Sequence, residues 1–285
     1  MLRNIVLALF GVFFLVGCTA SNQSISSVNT NSKYSEIGDC KVYPENIERF
    51  NCYMYKAKQN DFIAQSWVAY YYNVGKIVKK DKEKATSWYL KAAQANDAYS
   101  QRELGLNYLY DYKDYKKAFY WLKKAADLDD VVAQRELAYM YDKAKGIKVD
   151  RAKAFTYFQK AAYQGDVYSQ NEVGYYYKQG WGVKKDYIKA KYWFEKTAAK
   201  NNKYGISELG YLYAKGYGVE KDYNKAFELF NKASQMGDKY SMSWLGYLYE
   251  KGYGVQKNIE TAKQWYKKSG NDYSKKRLNL INKGN

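Results

Sequence analysis

The sequence predicts an all-α fold, a solenoid of about six helix hairpins stacked along the chain. Three features support this prediction: a 36-residue period, a glycine-containing turn in five of the six units, and an Asp or Asn at a fixed place before it. The period is plainest from Gly174, Gly210 and Gly246, which begin nearly identical segments. A period of this length is typical of supersecondary units that stack on their neighbours.

The first element of each unit is a helix, helix A, that follows a short side chain able to accept hydrogen bonds. Free backbone N–H groups at a helix start favour such side chains as N-caps. When positions are counted from this residue, +3, +7, +8 and +11 are apolar or small and fall on one helix face. The six predicted caps are Asp61, Asp97, Asp130, Asp166, Asn202 and Asp238.

The second element is a turn, and the third is helix B. In the fourth unit, Gly180 and Gly182 at +14 and +16 permit the positive φ that ends a helix. Asp186 then caps helix B, and Ala190 allows this helix to pack closely against helix A. The second unit differs, because it lacks three loop residues before Asp114.

The repeated pattern A-x3-LG-x2-Y-x2-G-x-GV-x2-D-x2-KA-x2-W resembles the Sel-one-like repeat, a relative of the tetratricopeptide repeat. The tetratricopeptide repeat itself, with a period of about 34 residues, fits less well. The resemblance implies a right-handed α-solenoid in which helix A lines the concave wall. We expect the solenoid over 62–272, an N-terminal capping half-repeat over 39–61 and a C-terminal capping helix over 273–285.

The amino terminus carries an export signal. Residues 1–17 contain Arg3 and an apolar run too short to span a bilayer. The Leu-Val-Gly-Cys ending at Cys18 resembles the lipobox of bacterial lipoproteins, which implies cleavage before Cys18 and its acylation. A short membrane anchor or an ordinary signal peptide is the alternative. Residues 18–38 then form the lipidated cysteine and a Ser/Asn-rich flexible tether.

The expected location is the bacterial cell envelope. Thr19 follows the cysteine, whereas Asp at this place resembles an inner-membrane retention signal. We therefore expect a lipid-anchored protein, in the outer membrane facing the periplasm if the cell has two membranes. An oxidising compartment favours a disulfide between Cys40 and Cys52, and two unpaired thiols are the alternative.

The composition limits the chemistry. The formal net charge is +18 and histidine is absent. Without histidine there is no Ser-His triad and no His-ligated zinc site, and three cysteines cannot form a four-thiolate site. We expect no catalytic residues, no metal and no cofactor. The basic excess favours a protein partner with an acidic surface, and export argues against nucleic acid.

A binding surface is expected where the repeat does not dictate the residue. On helix A, positions +2, +5, +9, +12 and +13 share the face opposite the core face. Tyr and Arg are common at these positions and anchor many protein interfaces, although the tyrosines can instead pack against the next repeat. The predicted groove residues are Tyr70, Tyr99, Arg102, Arg135, Tyr139, Tyr168, Asn171, Tyr175, Tyr204, Tyr211, Tyr240 and Tyr247, with Lys143, Lys178, Lys215 and Lys251 beside them.

These features predict a membrane-anchored scaffold that binds a protein partner in its concave groove, because repeat solenoids offer extended concave surfaces. The resemblance implies adaptor roles. It also implies an alternative, an immunity protein that neutralises a secreted antibacterial toxin in the periplasm. A cell-wall or β-lactam hydrolase is a further alternative, carried by cysteine-rich relatives, but the repeats here contain no cysteine. Adhesion to a host surface is the remaining one.

Overall fold

The computed structural model describes Tyr34 and residues 38–283, and these residues form fourteen α-helices and no β-strand. The predicted signal peptide, Cys18 and nearly all of the tether lie outside the described residues. The helices are α1 (Ile47–Lys58), α2 (Phe62–Val74), α3 (Lys82–Gln94), α4 (Ala98–Leu106), α5 (Tyr115–Asp127), α6 (Val131–Asp142), α7 (Arg151–Tyr163), α8 (Val167–Gln179), α9 (Tyr187–Ala199), α10 (Lys203–Lys215), α11 (Tyr223–Gln235), α12 (Lys239–Lys251), α13 (Ile259–Ser269) and α14 (Asp272–Asn282). Within the described part of the chain, no helix is both long and apolar enough to cross a bilayer.

The helices pair as six hairpins, which we number repeats 1 to 6. Helix A of these repeats is α2, α4, α6, α8, α10 and α12, and helix B is the helix that follows each. Each helix packs mainly against the helices before and after it in the chain. This nearest-neighbour packing is the pattern of a solenoid, so the predicted all-α fold is confirmed.

All six predicted caps of helix A accept a backbone hydrogen bond from their own helix. The Oδ1 atom of Asp130, for example, accepts from the backbone N–H of Ala133 at 2.8 Å. Helix B begins in the same way, and Asp186 accepts from Lys189 N–H at 2.9 Å. The twelve helix starts are therefore fixed by the residue type at two positions of the repeat.

The turn glycine at +16 is required for two reasons. Gly182 has φ of +62°, and a Cβ built on it would lie 2.3 Å from the carbonyl carbon of Arg151. The turn of repeat 4 thus touches the start of helix B in repeat 3. A side chain here would strain the backbone and push neighbouring repeats apart.

The core is a row of small and large side chains between the two helices of each hairpin. Gly174 at +8 faces the ring of Phe194, because a Cβ on it would lie 2.7 Å from the Cε1 atom. The alanine at +24 is fully buried in every repeat, as at Ala190. Small residues on both helices let the helix axes approach closely around the aromatic rings.

Repeat 2 adapts to its short loop in a way that the repeat pattern does not show. Its helix A is regular only over Ala98–Leu106 and continues as a π-helical turn over Asn107–Tyr112. Lys113 then adopts φ of +57° before Asp114 caps the next helix. The three missing loop residues are thus accommodated by widening the last turn of the helix.

The two ends of the array are covered by additional structure. A 3-10 turn over Cys40–Val42 and helix α1 precede repeat 1, and Cys40 is joined to Cys52 with a Cα–Cα distance of 5.7 Å. Both cysteine side chains are buried beside Phe50 and Tyr53. At the other end α14 packs against helix B of repeat 6.

Candidate partner-binding groove

The predicted groove tyrosines lie along one side of the array, where the A helices of successive repeats meet. Four hollows follow one another there, with volumes of about 380, 430, 630 and 400 Å³. Between them they are lined by all nine predicted tyrosines, together with Arg135 and Asn171. We call this surface the helix-A groove.

The tyrosines differ in the solvent-exposed fraction of their side chains. At +2, Tyr168, Tyr204 and Tyr240 are 46%, 53% and 41% exposed. Tyr99 is more covered, since the guanidinium of Arg102 lies 4.5 Å from its ring centre. The tyrosines at +9 are all half-buried, and they present one ring edge or face to the groove. These are Tyr70, Tyr139, Tyr175, Tyr211 and Tyr247.

The two predicted groove arginines are engaged within the protein. Arg102 donates to the carboxylate of Asp130 at 3.0 Å, and Arg135 donates to that of Asp166 at 2.8 Å. Each arginine therefore reaches the residue that caps helix A of the next repeat. Asp238 receives a similar bond from the hydroxyl of Ser207 at 2.8 Å. These side chains join neighbouring repeats on the groove side.

A row of carboxylates lies between the tyrosines and was not among the predicted groove residues. Position +6 is Glu in four successive repeats and Trp in the first and last. From repeat 1 to repeat 6, the residues at +6 are Trp67, Glu103, Glu136, Glu172, Glu208 and Trp244. Position +6 lies four residues after +2 and three before +9, so it shares their helix face. The recurrence of Glu at one offset was the sequence signal.

Three of the four glutamates form an ion pair with a cation of the chain. Glu103 accepts from Arg102 at 2.8 Å, and Glu136 accepts from Arg135 at 3.3 Å and from the hydroxyl of Tyr110. Glu208 accepts from the ammonium of a lysine in the preceding repeat at 2.6 Å. Burial raises the pKa of the Glu208 carboxyl, although this lysine acts to lower it.

The lysine that binds Glu208 is Lys178, and only 8% of its side chain is exposed. Its ammonium lies 4.6 Å from the ring centre of Tyr175 and 4.9 Å from that of Tyr211. A carboxylate and two aromatic faces thus surround one ammonium group. Both the ion pair and the ring quadrupoles stabilise the positive charge in this place.

The fourth glutamate, Glu172, forms no hydrogen bond or ion pair with any residue that the structure describes. It lines the 630 Å³ hollow with Asn171 and Tyr175. Burial, and next the charge of Asp142, raise the pKa of its carboxyl to about 7. Partial removal of an unpaired carboxylate from water is unfavourable and favours its protonated form.

A row of exposed lysines lies on helix B, outside the helix-A groove. Helix B carries a lysine at the same place in every repeat, and all six are exposed: Lys91, Lys124, Lys160, Lys196, Lys232 and Lys268. Several stand over aromatic rings of the same helix, as Lys91 does over Trp88 at 4.2 Å. The net charge of +18 therefore does not describe the helix-A groove.

The arrangement suits binding of an extended polypeptide more than chemistry on a small molecule. The hollows are open, follow one another and combine ring faces with hydrogen-bonding groups, as protein interfaces do. Within the described residues, no three His, Cys, Asp or Glu side chains come together as a metal site.

The Sel1 repeat profile matches six consecutive segments, 63–97, 98–130, 131–166, 167–202, 204–238 and 239–272. These segments coincide with the six hairpins and cover well over half of the chain. The chain belongs to the Sel1 repeat family. No protein of curated function matches it.

Solved Sel1 structures agree with this assignment. A protective antigen of uropathogenic Escherichia coli strains with an SLR fold is 31% identical, with a TM-score of 0.70 over 81% of this chain. The match spans 51% of the antigen, so this chain covers about half of that protein's length. A Sel1 repeat protein from Oxalobacter formigenes is also 31% identical, with a TM-score of 0.61, and 78% of this chain matches 92% of that one.

A more distant likeness is to an immunity protein from Pseudomonas aeruginosa. It is 18% identical over 72% of this chain and 80% of that chain, with a TM-score of 0.38. Similarity at this level does not bear on function.

Proposed function

We propose that this Sel1 repeat protein is a lipid-anchored scaffold of the bacterial cell envelope that binds a protein partner in the helix-A groove. The observation that carries the proposal is the row of nine tyrosines that line four consecutive hollows. Tyrosine provides a large contact area and a hydrogen-bonding hydroxyl at low entropic cost, and so anchors protein interfaces.

The anchor rests on the sequence around Cys18. Acylation of a cysteine that follows Leu-Val-Gly would hold the chain on a membrane, and the Ser/Asn-rich residues 19–33 would let the repeats stand away from it. We propose the outer membrane, facing the periplasm, because Thr19 follows the cysteine. Cys18→Ser should release the protein to the soluble fraction, whereas Cys40→Ser should leave it in the membrane fraction.

Charge contributes in two different ways. The exposed lysines of helix B and the overall charge of +18 support long-range attraction to a partner with an acidic surface. Contacts within the groove depend instead on the tyrosines and the glutamates. The two effects act at different distances, and only the second is removed by changing groove residues.

In-cell crosslinking followed by affinity capture and mass spectrometry tests the proposal. We expect one dominant captured protein, and its recovery should fall when Tyr175 and Tyr211 are both changed to Ala. If that protein is a secreted toxin, the scaffold acts as an immunity protein. Recovery of wall fragments or lipid with no protein would overturn the scaffold proposal and favour a wall-directed activity.

A further inference from the structure

We infer that the part of the helix-A groove around Glu172 receives a basic side chain, lysine or arginine, of the protein partner. The inference rests on the proposed function, because it specifies which chemical group of the partner enters the groove. It also means that the groove binds a positively charged group, which the positive net charge of the chain would not predict.

The protein already contains one filled example of such a site. Lys178 lies between the rings of Tyr175 and Tyr211 and binds the carboxylate of Glu208 at 2.6 Å. The three surrounding residues stand at +9 of repeat 4 and at +9 and +6 of repeat 5. The lysine stands at +12 of repeat 4, so two adjacent repeats build the site together.

The same positions one repeat earlier provide the carboxylate and the rings but not the cation. They are Tyr139, Tyr175 and Glu172, and the residue at +12 of repeat 3 is Asp142. Its carboxylate accepts from the hydroxyl of Tyr176 at 2.7 Å. A carboxylate, which is paired with Lys143, thus stands where the later site has an ammonium group.

Two adjacent residues of this site have side-chain oxygen atoms that accept no hydrogen bond from the described part of the chain. Glu172 has no hydrogen bond or ion pair within the described residues, and the Oδ1 atom of Asn171 is buried without a hydrogen-bond partner. Both line the same hollow of about 630 Å³. An ammonium or guanidinium group carries several N–H donors and no acceptor, so it matches the unpaired carboxylate of Glu172.

The nearby cations of the protein are held by other carboxylates. Lys143 contacts Asp142 at 2.7 Å, and Lys178 contacts Glu208 at 2.6 Å. A divalent metal is a poorer occupant than an organic cation, because such ions need several converging oxygen ligands. No cluster of three such ligand residues exists among the described residues.

The test uses the full chain and two synthetic peptides: one with lysines separated by glycines, and the same peptide with every lysine acetylated. Trp181 lines the hollow and is one of seven tryptophans, so binding is followed as a change in tryptophan fluorescence that a Trp181→Phe variant should lack. We expect the lysine peptide to bind, and the acetylated peptide to bind at least about tenfold more weakly. Equal binding of the two peptides, or no binding of either at millimolar concentration, overturns the inference.

A pair of matched variants locates the site. Glu172→Gln keeps the size of the side chain and removes its charge, so it should weaken binding of the lysine peptide at least about tenfold. Glu228→Gln makes the same change on helix B, where the carboxylate is 67% exposed, and should leave binding unchanged. Equal affinity of Glu172→Gln and the unaltered chain would refute the assignment to Glu172.

The outcome is separable from that of the proposed function. If capture of a partner requires Tyr175 and Tyr211 but not Glu172, the scaffold proposal is supported and the inference of a basic side chain at Glu172 is wrong. If the lysine peptide requires Glu172 but no protein is captured, the site stands and the scaffold proposal fails.

Discussion

The ammonium group of Lys178 lies 2.6 Å from the carboxylate of Glu208 in the next repeat, and the two side chains are only 8% and 16% exposed. Removing one member of a buried pair leaves an uncompensated charge, which costs about 3–5 kcal/mol. Lys178→Met should therefore lower the free energy of unfolding by about this amount above neutral pH, as measured by denaturant titration.

The Lys178→Met/Glu208→Gln double variant is the matched control. It removes both charges and should recover most of the lost stability. If the single and double variants were equally unstable, the loss would come from packing of the lysine stem and not from the ion pair.

Glu172 should make stability depend on pH. Its carboxyl has a pKa of about 7 in the folded protein against an ordinary value of 4.5. The folded state thus binds the proton more tightly than the unfolded state, so this group lowers stability as pH rises from about 4.5 through about 7. Glu172→Gln should raise the free energy of unfolding by about 1–3 kcal/mol above that range and leave it unchanged below it.

The comparison uses unfolding curves at several pH values for Glu172→Gln and for the exposed Glu228→Gln. Three charged groups, Asp142, Lys143 and Glu208, act on Glu172, and they remain in both variants. A pH profile of Glu172→Gln that coincides with that of the unaltered chain would mean that Glu172 titrates normally.

Gly205 and Thr197 form a size-matched contact between repeats 4 and 5. A Cβ on Gly205 would lie 1.9 Å from the hydroxyl oxygen of Thr197. Gly205→Ala should therefore destabilise the protein by about 1–3 kcal/mol through overpacking, despite the better helix propensity of Ala. The same change in a Thr197→Ala background should cost less, because the other repeats carry Ala or Ser at this place on helix B.

Thermal melting of the four proteins in this double-mutant cycle measures the coupling. We expect the two changes to be non-additive by about 1 kcal/mol or more. Strict additivity would show that helix B and helix A do not meet through these two residues.

Tyr175→Ala with Tyr211→Ala should weaken partner capture while the protein stays folded. Both rings are half-buried and contact other groove rings, such as Trp181 at 5.3 Å from Tyr175. Some loss of stability is expected, but the core aromatics between helices A and B are untouched. Circular dichroism melts, compared with capture yield, check this.

A double variant of two exposed helix-B tyrosines is the control for that experiment. Tyr120 and Tyr163 are 52% and 69% exposed, and their replacement by Ala should leave capture unchanged. If only the variant with Tyr175→Ala and Tyr211→Ala lost its cooperative unfolding transition, those two rings would belong to the core. The groove interpretation would then be wrong.

The fold was predictable from the sequence because the residues that define each helix and turn recur in several repeats. A cap such as Asp130, a turn glycine such as Gly182 and a small core residue such as Gly174 each occupy a fixed offset, and the helical period fixes the face. The π-helical turn over Asn107–Tyr112 was not predictable in this way. It depends on how one repeat absorbs a deletion, which no neighbouring repeat illustrates.

The groove was predictable in part for the same reason. The repeat offsets place Tyr168 and Tyr175 on one helix face, but they do not give the relative position of neighbouring repeats. The contact of Arg102 with Asp130 depends on that relative position, so the intramolecular role of the groove arginines became visible only in the structure. The glutamates at +6 were visible in the sequence, but their state of pairing was not, because it depends on Lys178 and Asp142 in the preceding repeats.

The shared caps have a consequence for how the array folds. Asp130 holds its own helix through Ala133 and holds the preceding repeat through Arg102, and Asp166 does the same with Arg135. Unfolding of one hairpin would therefore remove a side-chain partner from its neighbour, so we expect hairpins joined in this way to melt together. A shortened version that keeps only some hairpins would lose more than its share of stability, and the cooperative unit extends across these junctions.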